Sequence, residues 1–259
     1  MERTLDHTLG NMLRNEIDWD AFDLTPNTKA FLKRVYASGL EKYEKRLTSL
    51  GFPGGERALD AGCGLGQWSV VLSGMCKEVS GIDVSEERVT ACTAIADALK
   101  IGNTQFVSGP LEKLPYPDAH FDRLICYSVL YVTDYEKSIE EFARVTRAGG
   151  LVYISTNGIG RYLFDVVKRP NPAPDFDPRI YGLKTLWNSV IGRRSGLSSK
   201  NGAVAMYISR TRGLLEKNGF EIVKSGAEGS LGEGSAPFQP GRYFGFTGAF
   251  DILARKRES

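Results

Sequence analysis

Histidine is nearly absent from this chain: there are two, His7 and His120, in 259 residues. Cysteine is scarce too, and Cys63, Cys76, Cys92 and Cys126 form no Cys-x-x-Cys pair. That spacing excludes the usual zinc sites and leaves the cysteines as small apolar residues of a reducing compartment. No charge sign dominates, because 33 Lys and Arg face 31 Asp and Glu, which excludes a globally basic nucleic-acid coat. No apolar run approaches the ~20 residues of a membrane span. The opening Met1-Glu2-Arg3-Thr4-Leu5-Asp6 has no apolar stretch behind its charges, so no secretory signal is expected. The expectation is a cytoplasmic protein without a metal, a nucleic-acid partner or an integral membrane contact. An apolar share of 42% suits one full domain plus a small cap, or two lean domains.

What is present falls into an ordered pattern. Residues 1–50 are charged, and Phe31, Leu32, Val35, Leu40, Tyr43 and Leu47 recur at helical spacing, which predicts an amphipathic helical segment. Gly51-Phe52-Pro53-Gly54-Gly55 breaks it. Short β-type runs then alternate with helical stretches. Strands are expected at 57–60, 78–83, 104–108, 121–126 and 151–155. A helix is expected from Gln67, and another behind Ser85, whose hydroxyl suits an N-cap with Glu86 and Glu87 in the first turn. Thr133 and Glu136 form a capping-box pattern for a helix running to about Arg147, with Gly149-Gly150 as its stop. After the irregular segment 158–205, a helix at about 206–218, a strand at 220–223 and a last strand within 243–254 resume the rhythm. Such alternation predicts βαβ units, a doubly wound α/β fold with a parallel sheet.

The densest signal is Leu59-Asp60-Ala61-Gly62-Cys63-Gly64-Leu65-Gly66 between the first strand and its helix. Alternate glycines let the backbone turn sharply and let a ligand touch the main chain, at the sheet edge where open α/β sheets bind ligands. A dinucleotide loop, Gly-x-Gly-x-x-Gly, would need a third glycine at position 67, which is Gln67. An acidic residue before the loop suits an ammonium group better than a pyrophosphate, and Asp83 at the end of the second strand suits the hydroxyls of a ribose. The loop therefore favours a nucleoside with an amino-acid tail.

At these residues the sequence resembles the class I S-adenosylmethionine-dependent methyltransferases, closely over 56–155 and more loosely over 206–255. Residues 58–66 look like the family's first motif, and Gly81-Ile82-Asp83-Val84-Ser85 like its second. The stretch 111–122 resembles the approach to the fourth strand, and 142–150 the helix and glycine pair before the fifth. The resemblance implies a Rossmann-like, seven-stranded, mostly parallel sheet as core (51–157 and 206–259), with a helical N-terminal lid segment (1–50) and an inserted cap (158–205). It implies S-adenosylmethionine as cofactor, with Asp60 orienting the loop near the methionine amino group and Gly62, Cys63 and Gly64 along the methionine tail and ribose. Gln67 and Trp68 follow in the first turn of the helix. Asp83 would take the ribose hydroxyls, Val84 and Arg88 would flank the adenine, Leu111 would offer its backbone N–H to the ring, and Cys126 would lie beneath the methionine. Two positions depart from the pattern. Gly109-Pro110 stands where many relatives have Gly-Asp, so Glu112 or a backbone carbonyl would meet the adenine amino group, and Tyr131 stands where many carry His.

Methyl transfer from a sulfonium needs alignment and exclusion of water, and a base only where the acceptor must lose a proton. Tyr131 and His7 are the candidate bases; His120 precedes the amino end of the fourth strand and reads as a turn residue. Cys126-Tyr127-Ser128-Val129 replaces the Asp/Asn-Pro-Pro-Tyr/Phe of enzymes that methylate exocyclic amines, which leaves a small-molecule oxygen, nitrogen or carbon acceptor. Segment 158–205 carries eight basic against three acidic residues, with Tyr162, Phe164, Phe176, Tyr181 and Trp187 among them. It reads as a solvated lid, as a pocket for an anionic or lipid-linked acceptor, or, around 183–194, as a helix on an anionic membrane. The rival functions are a non-catalytic binding protein on the same fold and a nicotinamide-dependent oxidoreductase.

Overall fold

The computed structural model describes residues 25–37, 39–172, 176–192, 202–233 and 236–258. Two helices open it, α1 (Pro26–Ala37) and α2 (Glu41–Ser49), where the sequence pattern suggested a single amphipathic run. The break falls at Gly39, whose φ of +76° is the left-handed backbone that glycine accepts without strain. Strands β1 (Gly55–Ala61), β2 (Cys76–Asp83), β3 (Thr104–Ser108), β4 (Phe121–Tyr127) and β5 (Thr146–Asn157) follow, with α3 (Gln67–Ser73), α4 (Glu86–Ala98) and α5 (Tyr135–Val145) between them. Next come α6 (Ile159–Lys168), α7 (Pro178–Val190), α8 (Ile208–Lys217) and β6 (Phe220–Ala227). The two-residue strands β7 (Arg242–Tyr243) and β8 (Phe246–Thr247) form a small separate hairpin, and β9 (Ala249–Lys256) ends the order.

The main sheet has seven strands in the order β3-β2-β1-β4-β5-β9-β6. All pairs are parallel except those of β9, which runs antiparallel to both neighbours. From β1 the chain winds outward through β2 and β3, then crosses to β4 and β5 on the other side. The β1/β4 boundary is thus the switch point at which doubly wound sheets open a crevice beyond their carboxyl ends. Successive strand residues feed opposite cores, since side chains alternate across a sheet. Ala58, Ile125 and Tyr153 pack with Leu32, Leu47, Val71 and Ile95 from α1 to α4, while Leu59, Leu124 and Val152 pack with Ile139, Phe142 and Leu215 from α5 and α8.

Two expectations about α5 are corrected. Its N-cap is Asp134, whose carboxylate accepts from Lys137 N, and not Thr133. The Thr133 hydroxyl instead donates back to Leu130 O at 2.9 Å and closes a short 3-10 turn over 130–132. Nor do the two glycines end the helix. It stops at Val145, β5 begins at once, and Gly149 (φ +74°) lets four residues, 147–150, bulge opposite Asp122 between the pairs Phe121–Thr146 and Arg123–Leu151. The Ser85 cap is present as expected, accepting from Arg88 N.

A buried ionic knot fixes α2 to the antiparallel edge. The Arg46 guanidinium donates to Tyr153 Oη (2.7 Å), Glu228 Oε1 (2.7 Å), Asp251 Oδ2 (3.4 Å) and Ala236 O (2.7 Å). Both carboxylates are shut from water, and burial pushes Asp251 up to about 6. Removing one partner of such a knot strands the others, at a cost of about 3–5 kcal/mol. We expect Arg46→Met to lose about that much stability in urea titrations at neutral pH, and less at pH 5, where Asp251 takes up a proton; an unchanged midpoint would mean the knot is energetically silent.

Candidate functional site: a glycine loop over two acidic strand ends

The site grows from the last residues of β1 and β2. After Asp60 the chain leaves the sheet through three left-handed glycines, Gly62 (φ +81°), Gly64 (φ +56°) and Gly66 (φ +78°), and enters α3 at Gln67. The N–H groups of Gly62 and Cys63 both donate to Ile82 O, at 2.8 and 2.9 Å, so the loop lies across the end of β2. Asp83 holds its far side: Oδ2 accepts from Gly64 N at 3.0 Å and Oδ1 from Ser85 N at 3.0 Å. One carboxylate therefore ties the loop after β1 to the start of α4. Each oxygen keeps a lone pair for a further donor. Arg88 Nη1 stands 3.7 Å from Asp83 Oδ2, and Val84 beside it is 76% exposed.

The glycines have different duties. A Cβ on Gly62 would run into the Val129 side chain, so Gly62 lets the β4 exit pack on the loop. A Cβ on Gly64 would meet nothing within 4 Å, so Gly64 presents bare backbone to open space above Asp83. Gly66 backs onto Cys92 Sγ. The loop is also braced from α1, because Tyr36 Oη donates to Leu65 O at 2.8 Å. Tyr36 is absent from the residues the sequence pattern singles out, and its only signal is its place on the same helical face as Leu32 and Val35.

Beneath the loop, Asp60 is buried, with Oδ2 receiving the Ser69 hydroxyl at 2.6 Å and Oδ1 left without a partner. Burial pushes its carboxyl up to about 7 against the pull of Ser69. A buried carboxylate with a spare oxygen at this sheet edge matches an ammonium-bearing ligand. Gln67 Oε1 and Trp68 Nε1 are likewise buried without partners. The bare face of Gly64 and the orphan oxygen of Asp60 together fit the amino-acid nucleoside that the sequence suggested.

The other expected residues fall at varied distances from this centre. Cys126 is fully buried at the end of β4. Trp68 is sunk among Tyr43, Tyr127, Tyr153 and Phe238. Leu111 packs its side chain into the core, and Glu112 commits Oε1 to Asp134 N at 2.7 Å, so that carboxylate already serves the start of α5. Tyr131 sits in the 3-10 turn with its hydroxyl 3.3 Å from Ser128 Oγ, and burial raises its phenol, which keeps it protonated at neutral pH. His120 lies at the opposite edge, where His120 N donates to Val145 O just before β4 begins. His7 lies outside the described residues. Among the described residues no group of three His, Cys, Asp or Glu is placed to hold a metal ion.

The contrast between the glycines is measurable. Gly62→Ala adds left-handed strain and a collision with Val129, and should cost at least about 2 kcal/mol in urea unfolding. Gly64→Ala should cost only the backbone term of about 1–2 kcal/mol. Equal losses at the two positions would show that the Val129 contact is not a constraint.

Comparison with known proteins agrees with this geometry. Residues 59–154 match the family model described as a methyltransferase domain. Among curated proteins, the uncharacterized methyltransferase YcgJ of Bacillus subtilis is 34% identical over 95 residues, covering 36% of this chain and 38% of YcgJ. A demethylmenaquinone methyltransferase of Geobacillus kaustophilus is 36% identical over 101 residues, covering 38% of this chain and 43% of that protein. The chain thus spans only about two fifths of the relatives it matches. In three dimensions the crystal structure of YcgJ superposes with a TM-score of 0.59 at 16% identity, covering 85% of this chain and 99% of that one. The [4+2]-cyclase SpnF superposes at 0.58 with 17% identity, over 89% and 83% of the two chains. The matched segment, which is described as a methyltransferase domain, holds the glycine loop, both acidic strand ends and the β4 exit.

Proposed function

We propose that this protein moves the methyl group of S-adenosylmethionine to an oxygen, nitrogen or carbon of a small-molecule acceptor. The observation that carries the reading is the cradle made by the bare backbone of Gly64 and the spare Oδ1 of buried Asp60, beside Asp83. Asp60, Gly62, Cys63, Gly64, Gln67 and Trp68 are the residues proposed around the methionine end. Asp83 is proposed for the ribose, Val84, Arg88, Leu111 and Glu112 for the adenine side, and Cys126 for the floor. Bound S-adenosylmethionine supplies a methyl already activated on a sulfonium.

The protein's task is then to hold and align. The loop amides are fixed before any ligand arrives, which removes an ordering cost from binding. Tyr131, protonated, can orient an acceptor by hydrogen bonding but has no phenolate with which to act as a base. We place the acceptor between the β4 exit and segment 158–205, whose helices α6 and α7 would exclude water from the transfer. Alignment at ~3–3.5 Å, and not proton abstraction, is the main source of rate in this account. A binding protein without turnover is the second reading. SpnF, a [4+2]-cyclase, shows that the fold alone does not guarantee methyl transfer.

Calorimetry tests the cofactor half. S-adenosylhomocysteine should bind in the micromolar range and NAD should give no heat. The sign of the pH dependence follows from Asp60. Its carboxyl titrates at about 7 in the free protein, and an ammonium nearby favours the charged form. Binding below pH 7 must therefore expel a proton, and affinity should fall by up to about tenfold per unit as pH drops below 7 while staying flat above 8. Asp60→Asn should flatten that profile. No binding at any pH would defeat the proposal.

A further inference from the structure

Helix α7 (Pro178–Val190) is built inside out. Its inner face is small and polar. Gly182 lies so close to Tyr162 O that a Cβ would come within 2.8 Å of it. Thr185 Oγ1 accepts from Ala203 N at 2.9 Å, Asn188 Nδ2 donates to Ala203 O at 3.1 Å, and Ser189 Oγ accepts from Ala205 N at 2.8 Å. Tyr181 and Leu186 pack inward at its margins, but the other large apolar side chains point the other way. Ile180, Leu183, Trp187, Val190 and Ile191 are 54, 56, 65, 80 and 53% exposed. At about 100° of turn per residue they share a stripe about 100° wide. A helix that needed only to pack on the fold would have buried these residues and exposed the Thr, Asn and Ser.

We infer that this stripe docks the protein on the surface of an anionic lipid bilayer. The helix itself carries charges of one sign only, and the acid at its start, Asp177, is paired with Arg169. Arg179 and Lys184 are exposed on its two flanks. The helix has no Asp or Glu, and in sequence Arg193 and Arg194 follow directly. A tryptophan and branched aliphatics on one face with Arg and Lys at the margins suit a helix lying in the headgroup plane, its apolar face in the acyl boundary. Among the described residues no helix is long and apolar enough to cross a membrane, so the contact is with one leaflet. The stripe lies outside the glycine-loop site, and the inference does not rest on the methyl-transfer reading.

Flotation of the full chain with vesicles tests it. Equal parts phosphatidylcholine and phosphatidylglycerol should carry the protein to the top of the gradient, and phosphatidylcholine alone should not. Leu183→Ser with Trp187→Ser should lower the partition coefficient at least about tenfold. Arg179→Gln with Lys184→Gln should lower it by about tenfold, and high salt should release the wild type. All three forms should keep their far-UV spectrum and the same affinity for S-adenosylhomocysteine. Absence of flotation, or an apolar double variant that floats like the wild type, overturns the inference. So does a wild-type dimer in light scattering that the apolar variant splits, since the stripe would then join two copies. A Trp187 signal, isolated by difference against Trp187→Phe, that acrylamide cannot quench in the free chain would mean another segment already covers the stripe, and also overturns it. Lost S-adenosylhomocysteine binding in every form, with flotation intact, would count against the methyl-transfer reading alone.

Discussion

The Asp83 carboxylate is the contact on which the candidate site depends, because its two oxygens are shared between the loop after β1 and the start of α4. Oδ2 takes the N–H of Gly64 and Oδ1 that of Ser85, so the loop after β1 and the start of α4 are referred to the same group. The carboxylate stays 4% exposed. It stands where a ligand's hydroxyls would meet it, and hydrogen bonds to carboxylates are among the strong ones. The pairing of β1 with β2 sets the height of this contact, because Ala61 lies opposite Ile82 and the loop amides then fall on Ile82 O. Register, loop and acidic end form one arrangement: a shift of one residue in that pairing would turn Asp83 to the other face.

A second constraint acts from the other half of the molecule. Arg46 on α2 gathers Tyr153 of β5, Asp251 of β9 and Glu228 after β6, and Glu228 Oε2 in turn receives Phe238 N and Gln239 N. Phe238 then closes on Tyr43, Trp68 and Tyr127. The opening helices, the antiparallel edge and the first turn of α3 are thereby linked through one buried cation. Tyr36 adds the last link, from α1 to the glycine loop. The N-terminal helices thus brace the site through named bonds.

The core of this picture was legible from residues 58 to 85, where strand patterning, glycine spacing and two acidic strand ends coincide and each has a local cause. What depended on distant partners was not. A charged residue on a polar helix face looks solvated, so Arg46 gave no sign of burial; its partners lie 107 to 205 positions away. Thr133 and Asp134 are both good caps, and the Thr133 hydroxyl was already engaged in closing the preceding turn. Gly149-Gly150 suits a helix stop or a bulge equally, and β4 decided between them. In α7 the apolar positions have helical period, which ordinarily marks the buried face; only the contacts of Gly182, Thr185 and Asn188 show that the face is reversed.

The most direct test of the account is the affinity of Asp83→Ala for S-adenosylhomocysteine, measured by calorimetry beside a urea titration that confirms folding. If the carboxylate both holds the loop and meets the ribose, binding should weaken by about 1.5–3 kcal/mol, the range for hydrogen bonds to a charged group. A folded variant that binds with the wild-type dissociation constant would contradict it, and would place the nucleoside somewhere other than over the glycine loop.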